Sequence, residues 1–73
     1  MYMSNHDIII QVNGESFTCS PSMKLIDILL YLDFDLRFIA VEYNSKIVSR
    51  LKLQTISLKH KDKLEVITIV GGG

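Results

Sequence analysis

Residues 7–19, DIIIQVNGESFTC, decide the fold because two strand-forming segments meet there at Asn13-Gly14. Asparagine and glycine both tolerate positive φ, which the type I′ turn of a two-residue hairpin requires. ESFTC is therefore expected to return antiparallel to DIIIQVN. The second strand should end at Ser20-Pro21-Ser22, because proline has no N–H to donate to a sheet.

The next segment, residues 22–34, is typical of a helix that packs on a sheet. Its apolar side chains recur at the spacing of one helix face: Leu25, Ile26, Leu29, Leu30 and Leu32. Ser22 is the candidate N-cap, because its hydroxyl can accept from the exposed N–H groups of the first turn. The apolar stripe is wide enough to cover one face of a sheet.

Further strand-forming segments follow the helix. They are RFIAVEYN (37–44), KIVSR (46–50) and LEVITIV (64–70), and the intervening LKLQTISLKH (51–60) is expected to form a turn or short 3₁₀ segment with a brief extended stretch. The order β-β-α-β-β-β predicts an α+β fold of the β-grasp type: a mixed sheet with one main helix packed on one face. In that layout the first and last strands lie side by side and parallel. The expected domain is residues 1–70, followed by a flexible glycine tail at 71–73.

Composition excludes several classes of protein. Among 73 residues, eight basic and eight acidic side chains cancel, which argues against a nucleic-acid or anionic-membrane footprint. A single cysteine, Cys19, allows no disulfide within the chain, and two distant histidines give no zinc spacing. The start of the chain lacks the pattern of a signal peptide, and no apolar run reaches membrane-spanning length. We therefore expect a protein of a reducing compartment, either the cytoplasm or, for a plastid-encoded chain, the plastid stroma.

The last strand is followed directly by three glycines, which contribute no packing to a fold. These glycines are either a frayed chain end or the functional segment of the molecule. Here the chain resembles the ThiS family, the sulfur-carrier proteins of thiamine biosynthesis, which have a ubiquitin-like β-grasp fold. The matching residues are Ala40, Val41, Asn44, Ile47, Val48, Arg50, Asp62, Leu64, Glu65, Val66, Gly72 and Gly73. Two positions depart from the family's pattern: Lys61 stands where a glycine is usual, which suggests a different turn type, and Ser49 where a proline is common.

The resemblance implies that the chemistry takes place on the carboxylate of Gly73. An E1-like adenylyltransferase (ThiF-like) would adenylate it with ATP, and a sulfur donor such as a cysteine desulfurase would supply the sulfur of a thiocarboxylate. A thiazole synthase (ThiG-like) would then take that sulfur. Gly71 and Gly72 would thread into the partner because they carry no side chain. The carrier itself would bind no cofactor and no metal and would catalyse no reaction.

Strand periodicity indicates a partner-binding surface. Glu65 and Glu42 mark the outward side of their strands, and the two-residue repeat places apolar side chains on that side. With the helix on the other face, the exposed apolar set would be Ile9, Phe38, Ala40, Ile67 and Ile69. Apolar patches of this kind mark docking surfaces. A shift of one residue in the assignment would turn all of them inward.

Other functions fit parts of the same pattern. The small subunit of molybdopterin synthase resembles this fold and also ends in Gly-Gly, but the absence of proline from ITIVGGG favours the thiamine carrier. A ubiquitin-like modifier would form an isopeptide bond, and an interaction module would undergo no ATP-dependent change. Cys19 is more typical of a small buried apolar residue than of a nucleophile, and His60 is expected to be solvated in a polar turn.

Overall fold

The computed structural model describes residues 6–69, so the predicted boundary between the domain (1–70) and the tail (71–73) lies outside the described residues. The elements are β1 (Ile8–Val12), β2 (Glu15–Cys19), α1 (Leu25–Tyr31), β3 (Ile39–Tyr43), β4 (Lys46–Val48) and β5 (Lys63–Thr68), with 3₁₀ turns at Leu36–Phe38 and Arg50–Lys52. This order is the one that the sequence predicted.

The five strands form one mixed sheet in the order β2-β1-β5-β3-β4. β1 and β5 pair in parallel at its centre, and the other neighbouring strands are antiparallel. The β1–β2 hairpin turns at Asn13 (φ 51°) and Gly14 (φ 85°), the positive values that the Asn-Gly pair favours. The predicted α+β, β-grasp architecture is therefore confirmed.

The core lies between α1 and one face of the sheet. Ile10, Leu25 and Leu29 are fully buried, and Leu64 is 1% exposed. Burying an aliphatic side chain of this size contributes about 1.5–3 kcal/mol, so these contacts hold the helix to the central strands. The alternation in β1, with Ile10 inward and Ile9 outward, leaves the opposite face of the sheet uncovered.

The helix differs from the prediction at its start. It begins at Leu25, after Lys24, whose N–H donates to the Asp27 carboxylate at 2.7 Å. The proposed N-cap Ser22 instead shares a hydrogen bond with the Ser20 hydroxyl at 2.9 Å. The prediction of a Ser22 cap was wrong because the helix begins two residues later than expected, and the Asp27 carboxylate reaches back to accept from the N–H of Lys24, the residue that precedes the helix.

The apolar stripe of the helix is also narrower than expected, because Leu30 is 56% exposed. The helix ends where Asp33 adopts φ 65°, and the N–H groups of Phe34 and Asp33 donate to the carbonyls of Leu29 and Leu30. This is a Schellman termination with aspartate in the left-handed position that glycine usually occupies.

Candidate functional site

Four of the predicted surface residues lie together on the uncovered face of the sheet. Ala40 pairs with Ile67 across β3 and β5, and the Ile69 N–H donates to the Phe38 carbonyl at 2.6 Å. Phe38, Ile67 and Ile69 are each about half exposed, and Ala40 is half-buried. We call Phe38, Ala40, Ile67 and Ile69 the tail-end patch, because Ile69 is the last described residue before the glycine tail.

The structure separates Ile9 from this patch. Ile9 faces the same side of the sheet, but its carbonyl accepts from the Lys61 N–H at 2.7 Å. Gln11, two residues after Ile9, pairs with Lys63, which precedes Ile67 by four positions. The offset along the two strands is therefore six residues, or about 20 Å at about 3.3 Å per residue. The two-residue repeat in the sequence identifies the face of the strand on which a side chain lies. How far that strand is shifted along its parallel neighbour depends instead on long-range pairing. The docking role of these five residues stays a prediction.

A further exposed residue borders the tail-end patch. Ile47 pairs with Glu42 across β3 and β4, so it lies on the uncovered face, and it is 80% exposed. Sequence reasoning missed Ile47, although extending the alternation from Glu42 to its partner strand would have found it. Glu42 also pairs with Glu65, so a row of carboxylates crosses the face next to the patch.

Cations flank the patch beside Phe38. The guanidinium of Arg37 lies 5.1 Å from the centre of the Phe38 ring and forms an ion pair with Asp35 at 2.8 Å. Hydrogen bonds from Arg37 lower the pKa of the Asp35 carboxyl to about 2. Arg50 donates to the Arg37 carbonyl at 3.4 Å, which brings a second guanidinium to the same edge. The site is therefore an apolar surface that is bordered by Arg50 and the Arg37–Asp35 ion pair near Phe38 and by the carboxylates of Glu42 and Glu65 next to Ala40 and Ile67.

Comparison with known proteins identifies the family. Residues 10–73 match the model of the ThiS family. The chain belongs to the ThiS family. It is 45% identical over 71 residues to the protein ycf40 of Porphyra purpurea, a match that covers 97% of this chain and 100% of that protein. It is also similar to the thiamine biosynthesis protein ThiS from Geobacter metallireducens, whose crystal structure has a TM-score of 0.77 at 25% identity over 90% of this chain and 100% of that one.

A third similarity is to an enzyme. The chain is 37% identical over 62 residues to the thiazole synthase of Paramagnetospirillum magneticum. That match covers 85% of this chain but 19% of the synthase. A thiazole synthase thus includes a segment similar to this ThiS-family chain.

Two residues of the ThiS-family pattern, Asn44 and Asp62, have a structural role. The Asp62 carboxylate is buried and accepts from the Tyr43 hydroxyl (2.7 Å), the Asn44 side chain (3.1 Å) and the Lys59 N–H (2.7 Å). Asn44 in turn accepts from the Lys63 N–H at 2.8 Å. This network fixes the β3–β4 turn to the start of β5. Burial and the Asp62 carboxylate raise the pKa of Tyr43 to about 12.

The side chain of Asn13 also holds β5 in place, at a residue further along the strand. Its side-chain amide accepts from the Val66 N–H at 2.7 Å and donates to the Val66 carbonyl at 3.2 Å. The side chain thereby continues the parallel pairing beyond the last residue of β1. Asn13 and Asn44 of this ThiS-family chain thus both position the strand that leads to the tail.

The structure also describes three other residues that the sequence analysis considered: Cys19, His60 and Lys61. Cys19 is buried, and burial and the Asp7 charge raise the pKa of its thiol, so it is a core residue poorly suited to act as a nucleophile. His60 is exposed but not merely solvated, because its Nδ1 accepts from the Ile9 N–H at 3.1 Å. Lys61 has φ 73°, the left-handed region that glycine favours, and the expected difference in turn type from the family stays a prediction.

The rest of the predicted site lies beyond the described residues: Gly71, Gly72 and Gly73. Between residues 6 and 69, no group of three or more histidine, cysteine, aspartate or glutamate side chains could hold a metal ion. In the same range, no helix is long and apolar enough to cross a membrane.

Proposed function

We propose that this ThiS-family chain is a sulfur carrier of thiamine biosynthesis, which carries sulfur as a thiocarboxylate on Gly73. The observation that carries the proposal is the extent of the family match, which runs from residue 10 through Gly73 and so includes the glycine tail. The burial of Cys19 supports it further, because the described residues offer no accessible thiol as an alternative carrier of sulfur.

The proposed reaction has three steps. An oxygen of the Gly73 carboxylate attacks the α-phosphorus of ATP on a ThiF-like adenylyltransferase, and pyrophosphate leaves. A persulfide on a donor such as a cysteine desulfurase then attacks the acyl carbon, and AMP leaves with the electrons of the broken C–O bond. A thiol reductant cleaves the S–S bond of the resulting acyl disulfide and is itself oxidised to a disulfide, so that one sulfur stays on the acyl group. The product is a thiocarboxylate. The carrier is a substrate in each step and contributes no catalytic group of its own.

The positions of the patch and the tail suit such a substrate. Gly73 follows Ile69 by four residues, so its carboxyl carbon lies within about 14 Å of Ile69 even in a fully extended chain. A partner that docks on the tail-end patch would therefore hold the carboxylate within a short radius of its active site. Because the carboxylate is then already held near the reacting groups, less translational and rotational entropy is lost in the chemical step.

The relatives favour the thiamine pathway over molybdopterin synthesis. Two thiazole synthases each include a segment similar to this chain, over 19% and 20% of their lengths, which supports a thiazole synthase (ThiG-like) as the final sulfur acceptor. The similarity to the ycf40 proteins of Porphyra purpurea and Pyropia yezoensis supports the plastid stroma as the compartment over the cytoplasm.

Exchange of radiolabelled pyrophosphate into ATP tests the first step. With a ThiF-like adenylyltransferase, exchange should depend on the carrier and should be lost when Gly73 is deleted. Cys19→Ala is the matched control and should support exchange at the full rate. Exchange that continues undiminished after deletion of Gly72 and Gly73 would overturn the proposal.

A further inference from the structure

A groove lies on the uncovered face at the end opposite the tail-end patch. Its volume is about 440 Å³, and it runs across β2, β1 and the start of β5. Its lining residues are Ile9, Gln11, Ser16, His60, Lys61 and Lys63. We call it the basic groove, because two lysines and a histidine border it and none of its lining residues is acidic.

The two lysines of the basic groove form no ion pair within residues 6–69. The ion pair found between residues 6 and 69 joins Arg37 and Asp35, and neither Lys61 nor Lys63 takes part in one. The nearby Asp62 carboxylate is buried and already accepts three hydrogen bonds. Lys63 lies two residues before Glu65 on the same face, so the positive charge is confined to the groove, and the carboxylates of Glu42 and Glu65 separate it from the tail-end patch.

The backbone conformation of Lys61 is a second, independent observation on the basic groove. A non-glycine residue at φ 73° costs about 1 kcal/mol relative to glycine, and such outliers concentrate at functional sites. The Lys61 N–H is held by the Ile9 carbonyl at 2.7 Å, and the Lys63 N–H by Asn44 at 2.8 Å. The backbone therefore fixes the points from which both lysine side chains extend. The fold retains a lysine where glycine would be less strained.

We propose that the basic groove is a second docking site, which binds an acidic, extended segment of the enzyme that receives the tail. Carboxylates of that segment would pair with Lys61 and Lys63, and an apolar side chain would contact Ile9, which is 38% exposed. Lys63 of the groove lies four residues before Ile67 of the tail-end patch on β5, about 13 Å along the strand, and Ile9 lies about 20 Å from Ile67 along the same direction. A standard interface of about 800 Å² per partner spans that distance, so one enzyme can cover both. The identity of the enzyme rests on the proposed carrier function, whereas the chemistry of the groove does not.

Binding to the thiazole synthase proposed above tests the groove. We expect Lys61→Glu/Lys63→Glu to weaken binding about tenfold at about 50 mM salt, and by less than about threefold at about 300 mM, because salt screens charge pairs at a protein surface. Lys52→Glu, a charge reversal in the 3₁₀ turn after β4, is the control and should change affinity less than about twofold. Equal effects of the two charge reversals, or no effect of either, would overturn the proposal.

Lys61→Gly separates binding from folding. Glycine relieves the left-handed backbone, so the variant should unfold at a higher denaturant concentration than the parent. It should nevertheless bind the enzyme about threefold more weakly, because one of the two charges is gone. A variant that is more stable and binds with unchanged affinity would refute a docking role for Lys61.

A peptide titration tests the groove without any enzyme. A synthetic peptide of alternating glutamate and leucine should shift the backbone amide resonances of Ile9, Lys61 and Lys63 and leave those of Ile67 and Ile69 in place. Inorganic phosphate at the same concentration of charge should leave all of these resonances in place. Shifts produced equally by phosphate would reveal a nonspecific anion effect and overturn the proposal. Peptide shifts in a chain that fails the pyrophosphate-exchange test would preserve the groove and refute only the carrier function.

Discussion

The buried carboxylate of Asp62 gives the sharpest prediction about stability. Asp62→Ala removes the acceptor of three hydrogen bonds, from Tyr43, Asn44 and Lys59. Each donor left without a partner costs about 1 kcal/mol where water can reach part of it, so the variant should lose about 3 kcal/mol. A domain of this size has about 4–11 kcal/mol of unfolding free energy in total, so the loss is a large fraction.

A graded series makes the prediction specific. Asp62→Asn keeps the oxygen shared by Tyr43 and Lys59 but turns an NH₂ group toward the Asn44 amide, so it should cost about 1 kcal/mol. Tyr43→Phe should also cost about 1 kcal/mol, and combining it with Asp62→Ala should cost less than the sum, because the two residues share one hydrogen bond.

Urea unfolding followed by circular dichroism measures these differences. With a slope of about 1 kcal/mol/M for a small domain, Asp62→Ala should lower the midpoint by about 3 M. Asp33→Asn is the control, since Asp33 is exposed and asparagine tolerates its positive φ, and it should change stability by less than about 0.5 kcal/mol. Asp62→Ala and Asp33→Asn with equal midpoints would refute the assigned network.

Three further predictions concern binding, pH and backbone strain. Ile67→Asp should keep the fold but weaken binding to a thiazole synthase at least about tenfold, whereas the control Leu30→Asp, on the exposed side of the helix, should leave the affinity unchanged. Equal affinities of the two variants, measured by calorimetry, would contradict the role of the tail-end patch. Because the folded pKa of Tyr43 is raised to about 12, its contribution to stability is complete below about pH 10 and is lost as the pH rises through about 12. For this half-buried phenol, which solvent still screens in part, the loss should be about 1 kcal/mol, and it should be absent from Tyr43→Phe in urea titrations across that range. Lys61→Gly should stabilise the fold by about 0.5–1 kcal/mol, and a lower unfolding midpoint would contradict the strain at this residue.

Local sequence signals predicted the parts of the fold that depend on local physics. Asn13-Gly14 indicated the hairpin because positive φ is inexpensive for those two residues. The alternation about Glu65 placed Ile67 on the uncovered face, because successive side chains of a strand point to opposite sides. Each of these inferences needs only neighbouring residues.

The features that the sequence did not reveal depend on distant parts of the chain or on competition between donors and acceptors. The separation of Ile9 from Ile67 follows from the parallel offset of β1 and β5, which the pairing of Gln11 with Lys63 fixes. The Ser22 cap failed because the Asp27 carboxylate reaches the same end of the helix. A lysine does not by itself indicate a left-handed backbone, and the N–H of Lys61 makes its hydrogen bond with Ile9, a residue far away in the sequence.

The central claim is that Gly73 carries the sulfur, and the intact mass of the protein tests it directly. The chain is incubated with ATP, a ThiF-like adenylyltransferase and a sulfur donor, and its mass is compared with that of a chain lacking Gly73. The account predicts that one oxygen is replaced by sulfur in the full chain, that fragmentation places the sulfur on Gly73, and that the shortened chain is unchanged. A full chain whose mass shows neither sulfur nor an AMP adduct would contradict it.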